Sequence, residues 1–266
     1  YHAWTWSIDG ELSWFPGKWD FPGVKDGSHD LREVQLDTWG GFVFINPDPD
    51  AAPLAEFLGE VADQLAVYKL DEMVPVGLNV RERLECNWKV VMDAFQEGYH
   101  IQAVHPELIP AMDESKERYF FYGDHSVATG PFGASNLVEL GPEALVDVIR
   151  GLTATFPAVA EALPRFEQLI DEVRGADGVP VFTAERGGRE LLQQATRETW
   201  AAKGLNVSGL TDVQMADNHF HLVFPNLFMT IRAGEATCII AVPHPGGDPA
   251  RCIWHVLNLM WLPEAE

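Results

Sequence analysis

The chain has 266 residues, 47% hydrophobic and 22% charged, enough to bury a core as one large domain or two modest ones. Its 40 acidic against 18 basic residues give a net charge of −22, which disfavours nucleic acid and anionic membrane as partners. No run of about 18 apolar residues predicts a membrane span. Cys86, Cys238 and Cys252 are odd in number, match no CxxC or disulfide spacing, and read as reduced core thiols of a cytoplasmic protein.

The chain opens on Tyr1 inside an aromatic-rich run with no signal peptide, as an excised piece of a longer protein would. Asp9-Gly10 predicts a hairpin turn between residues 4–6 and 11–14. Trp4, Trp6, Trp14 and Trp19 are expected in the core and interface of a small β domain. Residues 39–46 (WGGFVFIN) read as a strand. Pro47-Asp48-Pro49-Asp50 is the clearest punctuation, and a domain boundary is placed there. A helix is predicted over residues 53–68, a strand over 74–86, and a helix over 87–104 with Trp88, Val91, Met92, Phe95 and Tyr99 as its apolar stripe. Pro106 ends that helix. Paired strands follow at 118–130. Two or three helices lie in 141–203, broken near Pro157, Pro164 and the glycine-rich 175–188, and strands are predicted at 218–232, 236–243 and 251–262. The order predicts an α+β fold with an antiparallel sheet around a helix.

The chemistry concentrates in residues 87–106. On a helix, Asp93, Glu97 and His100, spaced four and three, share one face. His105 lies five beyond His100, about 140° round an ideal helix, so the two imidazoles converge only if the helix unwinds near Pro106. Two His with a carboxylate and open positions is a ligand set for non-haem Fe(II). The same residues could instead satisfy a buried hydrogen-bond network. A zinc hydrolase is a further alternative, although the H-E-x-x-H helix is absent. His219 and His221 alternate on a strand, point to one face, and are expected to be structural or pocket-lining. His125, His244 and His255 have no companion carboxylate at useful spacing.

Asn87-Trp88-Lys89 followed by Glu97-x-Tyr99-His100-x4-His105-Pro106 resembles the iron-binding helix of Rieske non-haem iron (aromatic ring-hydroxylating) oxygenase α subunits. Residues 1–10 resemble the end of that family's second cluster-binding box, residues 39–46 the strand closing its Rieske domain, and Val223-Phe224-Pro225-Asn226 a strand of its catalytic sheet. The resemblance implies residues 1–46 as the C-terminal part of a Rieske [2Fe–2S] domain. It implies 47–266 as a catalytic helix-grip (START-like) domain gripping a long helix, the chain being truncated at both ends.

It also implies site roles. His100 and His105 are ligands of mononuclear Fe(II), with an aspartate expected beyond Glu266 as the third; Glu264 and Glu266 are not expected to replace it. Glu97 is the acid bridging an iron-ligand His to a cluster-ligand His of a neighbouring subunit, and Asp93 is a second candidate catalytic carboxylate. His2 matches a [2Fe–2S] ligand whose companions are missing. The implied activity is hydroxylation or demethylation of a small, typically aromatic substrate by O2, as in aromatic hydrocarbon catabolism. Electrons would come from NAD(P)H through a reductase or ferredoxin, in a homotrimer or α3β3 assembly, the piece alone being inactive. The alternative is a non-catalytic START-like binding module for an apolar ligand.

Overall fold

The computed structural model describes residues 1–133 and 140–263; Glu264 and Glu266 lie outside the described residues. The chain forms two compact units, Tyr1–Phe57 and Leu58–Glu266, divided later than the proline punctuation at 47–50.

The first unit contains two hairpins. β1 (Thr5–Trp6) pairs with β2 (Leu12–Trp14) across the Asp9-Gly10 turn, where Gly10 has φ +84°. β3 (Gln35–Trp39) pairs with β4 (Phe42–Asn46), so the strand expected over 39–46 is one arm of a hairpin. Gly40 and Gly41 both have positive φ (58° and 83°), and the two-residue turn they form suits the strand twist. Trp4 stacks on Phe15 at 4.6 Å, whereas Trp14 and Trp19 are exposed, so only part of the tryptophan set reaches this small core.

The helix expected over 53–68 is two, α1 (Leu54–Leu58) and α2 (Glu60–Ala66), because Gly59 takes φ 48°, ψ −134° between them. The second unit then builds a seven-stranded antiparallel sheet from β5 (Met73–Leu84), β6 (Arg118–Tyr122), β7 (His125–Gly130), β8 (Asn218–Val223), β9 (Leu227–Arg232), β10 (Glu235–Pro243) and β11 (Cys252–Trp261), in the order β5-β11-β10-β9-β8-β7-β6. The strand expected over 218–232 is the β8–β9 hairpin, turning at Phe224-Pro225-Asn226.

Two helices replace the long one expected at 87–104. α3 (Trp88–Ala94) starts at Asn87, whose side chain accepts the Lys89 N–H at 3.0 Å, and α4 (Ile101–Val104) is a single turn. Val91 and Met92 bury the apolar face of α3 against Phe228, Ile239, Ala241 and Val256 of the sheet. The remaining helices are α5 (Pro142–Gly151), α6 (Pro157–Glu172), α7 (Gly188–Ala202) and α8 (Asp212–Ala216). They bury a second core around Phe132, Ile149, Phe166, Leu169 and Leu191. Pro157 opens α6, but Pro164 does not break it. The carbonyl it leaves unbonded belongs to Ala160, and both residues are exposed, so water can serve that oxygen. This is the α+β, antiparallel-sheet class expected, with a shorter gripped helix.

Candidate metal centre

α3 ends at Ala94 and the chain leaves helical geometry over residues 95–100. Asp93 therefore does not share a helix face with Glu97: it is exposed in the last turn of α3 and does not line the cavity described below. The break has local causes. The Gly98 N–H donates to the Tyr119 hydroxyl on β6 at 3.2 Å instead of to a helical carbonyl. The Glu97 carboxylate accepts the His100 backbone N–H at 3.1 Å and lies 2.7 Å from His100 Nδ1.

His100 and His105 flank α4 as its two caps. One turn of helix between them, with His105 at φ −124°, brings the rings together, with centroids 5.4 Å apart and planes at 72°. A metal–imidazole bond of about 2.1 Å puts a ring centre about 3.3 Å from the ion, so two rings at 90–110° on one ion have centres roughly 4.7–5.4 Å apart. The observed separation fits. Each Nδ1 faces a carboxylate, His100 to Glu97 and His105 to Glu107 Oε1 at 3.4 Å, which leaves each Nε2 for coordination. Among the described residues no group of three His, Cys, Asp or Glu is arranged to hold an ion, so this is a two-ligand arrangement. Burial pushes the Glu97 carboxyl up, but the hydrogen bonds from the His100 ring and from the backbones of His100 and Tyr99 outweigh it and hold it below the usual range.

The pair opens on a cavity of about 510 Å³ between the 95–105 segment and the sheet. Glu117, which sequence reasoning missed, lines it as well. Tyr119 donates its O–H to Glu117 at 2.9 Å, and a side chain at Gly98 would collide with Glu117, its Cβ falling 2.2 Å from Oε1. Burial and the neighbouring Glu114 and Glu97 charges raise the Glu117 carboxyl, against the Tyr119 hydrogen bond. The only cue in the sequence is the Glu117-x-Tyr119 alternation, which puts both on one face of an extended segment.

Phe156 forms part of the far wall and is fixed from behind. The buried Arg232 guanidinium lies 4.2 Å from its ring centre and pairs with Glu235 at 3.1 Å, and Glu235 accepts the Ala158 N–H at 2.6 Å. Nearby, Asp217 takes Arg189 through both oxygens and accepts the Phe132 N–H at 3.1 Å.

His219 and His221 share a face as expected, but it is the face away from the cavity; Asn218 and Phe220 line the cavity instead. His125 Nδ1 accepts the Phe224 N–H at 3.0 Å, His244 Nδ1 accepts the Gly246 N–H at 3.1 Å, and His255 Nε2 lies 2.7 Å from Asn79 Oδ1. His2 is exposed and packs edge-on against Tyr1. The three cysteines are free thiols, Cys238 and Cys252 buried and Cys86 half-buried.

An antiparallel sheet gripping a short helix, with a histidine pair at the mouth of an internal cavity, defines a helix-grip catalytic domain. The chain belongs to the ring hydroxylating alpha subunit (catalytic domain) family, whose model matches residues 65–264. It is 34% identical over 115 residues to a glycine betaine monooxygenase oxygenase subunit of Chromohalobacter salexigens, covering 43% of this chain and 25% of that one. It is 33% identical over 132 residues to the toluate 1,2-dioxygenase subunit alpha of Pseudomonas putida, covering 44% and 28%. Among solved structures, a quaternary ammonium Rieske monooxygenase studied for carnitine oxidation superposes with TM-score 0.58 at 14% identity, over 100% of this chain and 53% of that one. Naphthalene 1,2-dioxygenase does so with TM-score 0.56 at 17% identity, over 99% and 53%. The chain thus spans about half the length of these structures, and the likeness to them is one of fold. No helix among the described residues is long and apolar enough to cross a membrane.

Proposed function

We propose that this chain is the iron-holding part of an oxygenase catalytic subunit, with His100 and His105 as ligands through Nε2. The observation that supports it most is the ring pair at 5.4 Å with both Nδ1 atoms turned to carboxylates. Ferrous iron held there would supply the redox chemistry that activates O2. A third ligand, an aspartate by the family resemblance, would come from outside the described residues.

Glu97 holds the His100 Nδ1 proton and so fixes the tautomer that presents Nε2. Its side chain is 45% exposed, which suits the proposed second role of hydrogen-bonding a cluster-ligand histidine of a neighbouring subunit. In that reading residues 1–46 belong to a Rieske domain, His2 is one cluster ligand, and the catalytic domain is 47–266. Electrons reach the subunit from NAD(P)H through a reductase or ferredoxin, in a trimeric cytoplasmic assembly. The free thiols agree with that compartment. Asp93, exposed and off the cavity, takes no part.

The substrate is a small organic molecule that fits about 510 Å³. The relatives named for toluate and for glycine betaine support an aromatic or quaternary ammonium compound. A non-catalytic binding module would not require the convergent histidines. The test is turnover of such compounds by the complete subunit with reductant and isotopically labelled O2. Label from O2 in a hydroxylated aromatic product, or O2-dependent release of a methyl group as formaldehyde, is expected; turnover that consumes no O2 overturns the proposal.

A further inference from the structure

The cavity face of the sheet carries one transverse row of residues, set by register: Tyr119, Ala128, Phe220, Thr230, Thr237 and Asn258, one from each of six adjacent strands from β6 to β11. The last five line the cavity. On β8, β9 and β10 the row members are half-buried between fully buried neighbours, as residues facing a cavity should be. The row changes character along its length, from apolar at Ala128 and Phe220 to polar at Thr230, Thr237 and Asn258.

The polar end is oriented. Thr237 Oγ1 donates to Asn258 Oδ1 at 3.0 Å, so the amide oxygen is occupied and the Nδ2 hydrogens are left over. Among the described residues neither Asn258 Nδ2 nor the Thr230 hydroxyl has a partner. Both residues line the cavity, so these donors are free to meet a ligand atom that accepts hydrogen bonds. The opposite end is electrostatically different. Tyr119 holds the Glu117 carboxylate there, the loop carrying Glu97 is tied to the same strand through Gly98, and Gln96 accepts from Ser126 on β7. An anionic group is disfavoured beside Glu117 and accepted at the other end. From Thr230 to Asn258 is two strand spacings, ~10 Å.

We propose that Thr230, Thr237 and Asn258 form a recognition surface for a hydrogen-bond-accepting oxygen (carboxylate, carbonyl or hydroxyl) on the substrate. This group lies at the end of the molecule remote from the reacting position, and the apolar body lies over Phe220 toward the histidine pair. This rests on the reading of the cavity as the substrate site and goes beyond it by fixing which way round the substrate lies. Specificity would then come from donors on β9–β11, with the iron ligands uninvolved.

The test is calorimetric titration of the complete subunit, without electron donors, with 3-phenylpropionate, 3-phenylpropylamine and propylbenzene. The wild type is expected to bind 3-phenylpropionate at least about 10-fold more tightly than propylbenzene, as a hydrogen bond to a charged acceptor provides. Asn258→Leu should bring the two within about two-fold with propylbenzene unchanged, and Asn258→Asp should shift the preference to 3-phenylpropylamine. A wild-type preference under two-fold, or no binding of 3-phenylpropionate, overturns the proposal. So does Asn258→Leu lowering Tm with no change in any probe affinity, which would show the row packing against protein. Iron content does not enter this measurement. A failure here leaves the histidine assignment standing, and loss of that assignment would be read separately as absence of iron.

Discussion

His221 gives the most quantitative stability prediction. It sits on β8 facing away from the cavity, 2% exposed, and its Nδ1 has no partner among the described residues. Burial, followed by the charge of His219 two residues away, lowers its pKa from 6.5 to about 3. A depressed histidine pKa means that the unfolded chain takes up a proton that the folded strand refuses. Its contribution is therefore fully present above pH 6.5 and is lost as pH falls toward 3. Between pH 7.5 and pH 5 the loss is about 2 kcal/mol, and over the whole window it approaches about 4–5 kcal/mol. Urea unfolding followed by tryptophan fluorescence, at both pH values, on wild type and His221→Gln measures it. The wild type should lose about 2 kcal/mol more than the variant on going to pH 5. Equal losses, within about 0.5 kcal/mol, would show that His221 is not held neutral by burial.

Glu97→Gln should weaken ferrous-iron binding to the complete subunit by about 10- to 100-fold while leaving the fold intact, because it removes the charge facing His100 Nδ1 and leaves one acceptor oxygen for the two His100 donors. Titration calorimetry reads this, and an unchanged affinity refutes it. Gly234→Ala should cost about 2–4 kcal/mol: Gly234 has φ +85° and a Cβ there would fall 2.3 Å from the buried Trp200 ring. A thermal melt unshifted by the substitution would contradict that. Glu235→Ala should cost about 3–5 kcal/mol by leaving the Arg232 guanidinium buried without its partner and the Ala158 N–H unbonded. A loss below about 1 kcal/mol in denaturant melts would show the pair to be dispensable.

The hairpins at Asp9-Gly10 and at 118–130 were legible because turn chemistry and alternation are local signals. The break in the helix expected over 87–104 was not. It depends on the Gly98 N–H finding Tyr119 on a strand 21 residues away, and no periodicity carries that. The histidine pair was nevertheless readable, since spacing and Pro106 required the helix to unwind near Pro106, and it does so at His105, after the single turn Ile101–Val104. Glu117 was missed because its place beside the pair comes from the strand that carries Tyr119. The Thr230–Thr237–Asn258 row escapes sequence reading altogether, because it exists only through the register of three strands. The same is true of the Arg189–Asp217 pair, whose partners lie 28 residues apart.

The central claim is that His100 and His105 grip one ion. Mononuclear iron per complete subunit, measured in wild type, His100→Ala and His105→Ala with folding checked by circular dichroism, tests it most directly. Close to one iron is expected in the wild type and near none in either folded variant; iron retained in both variants would mean that these histidines do not hold it.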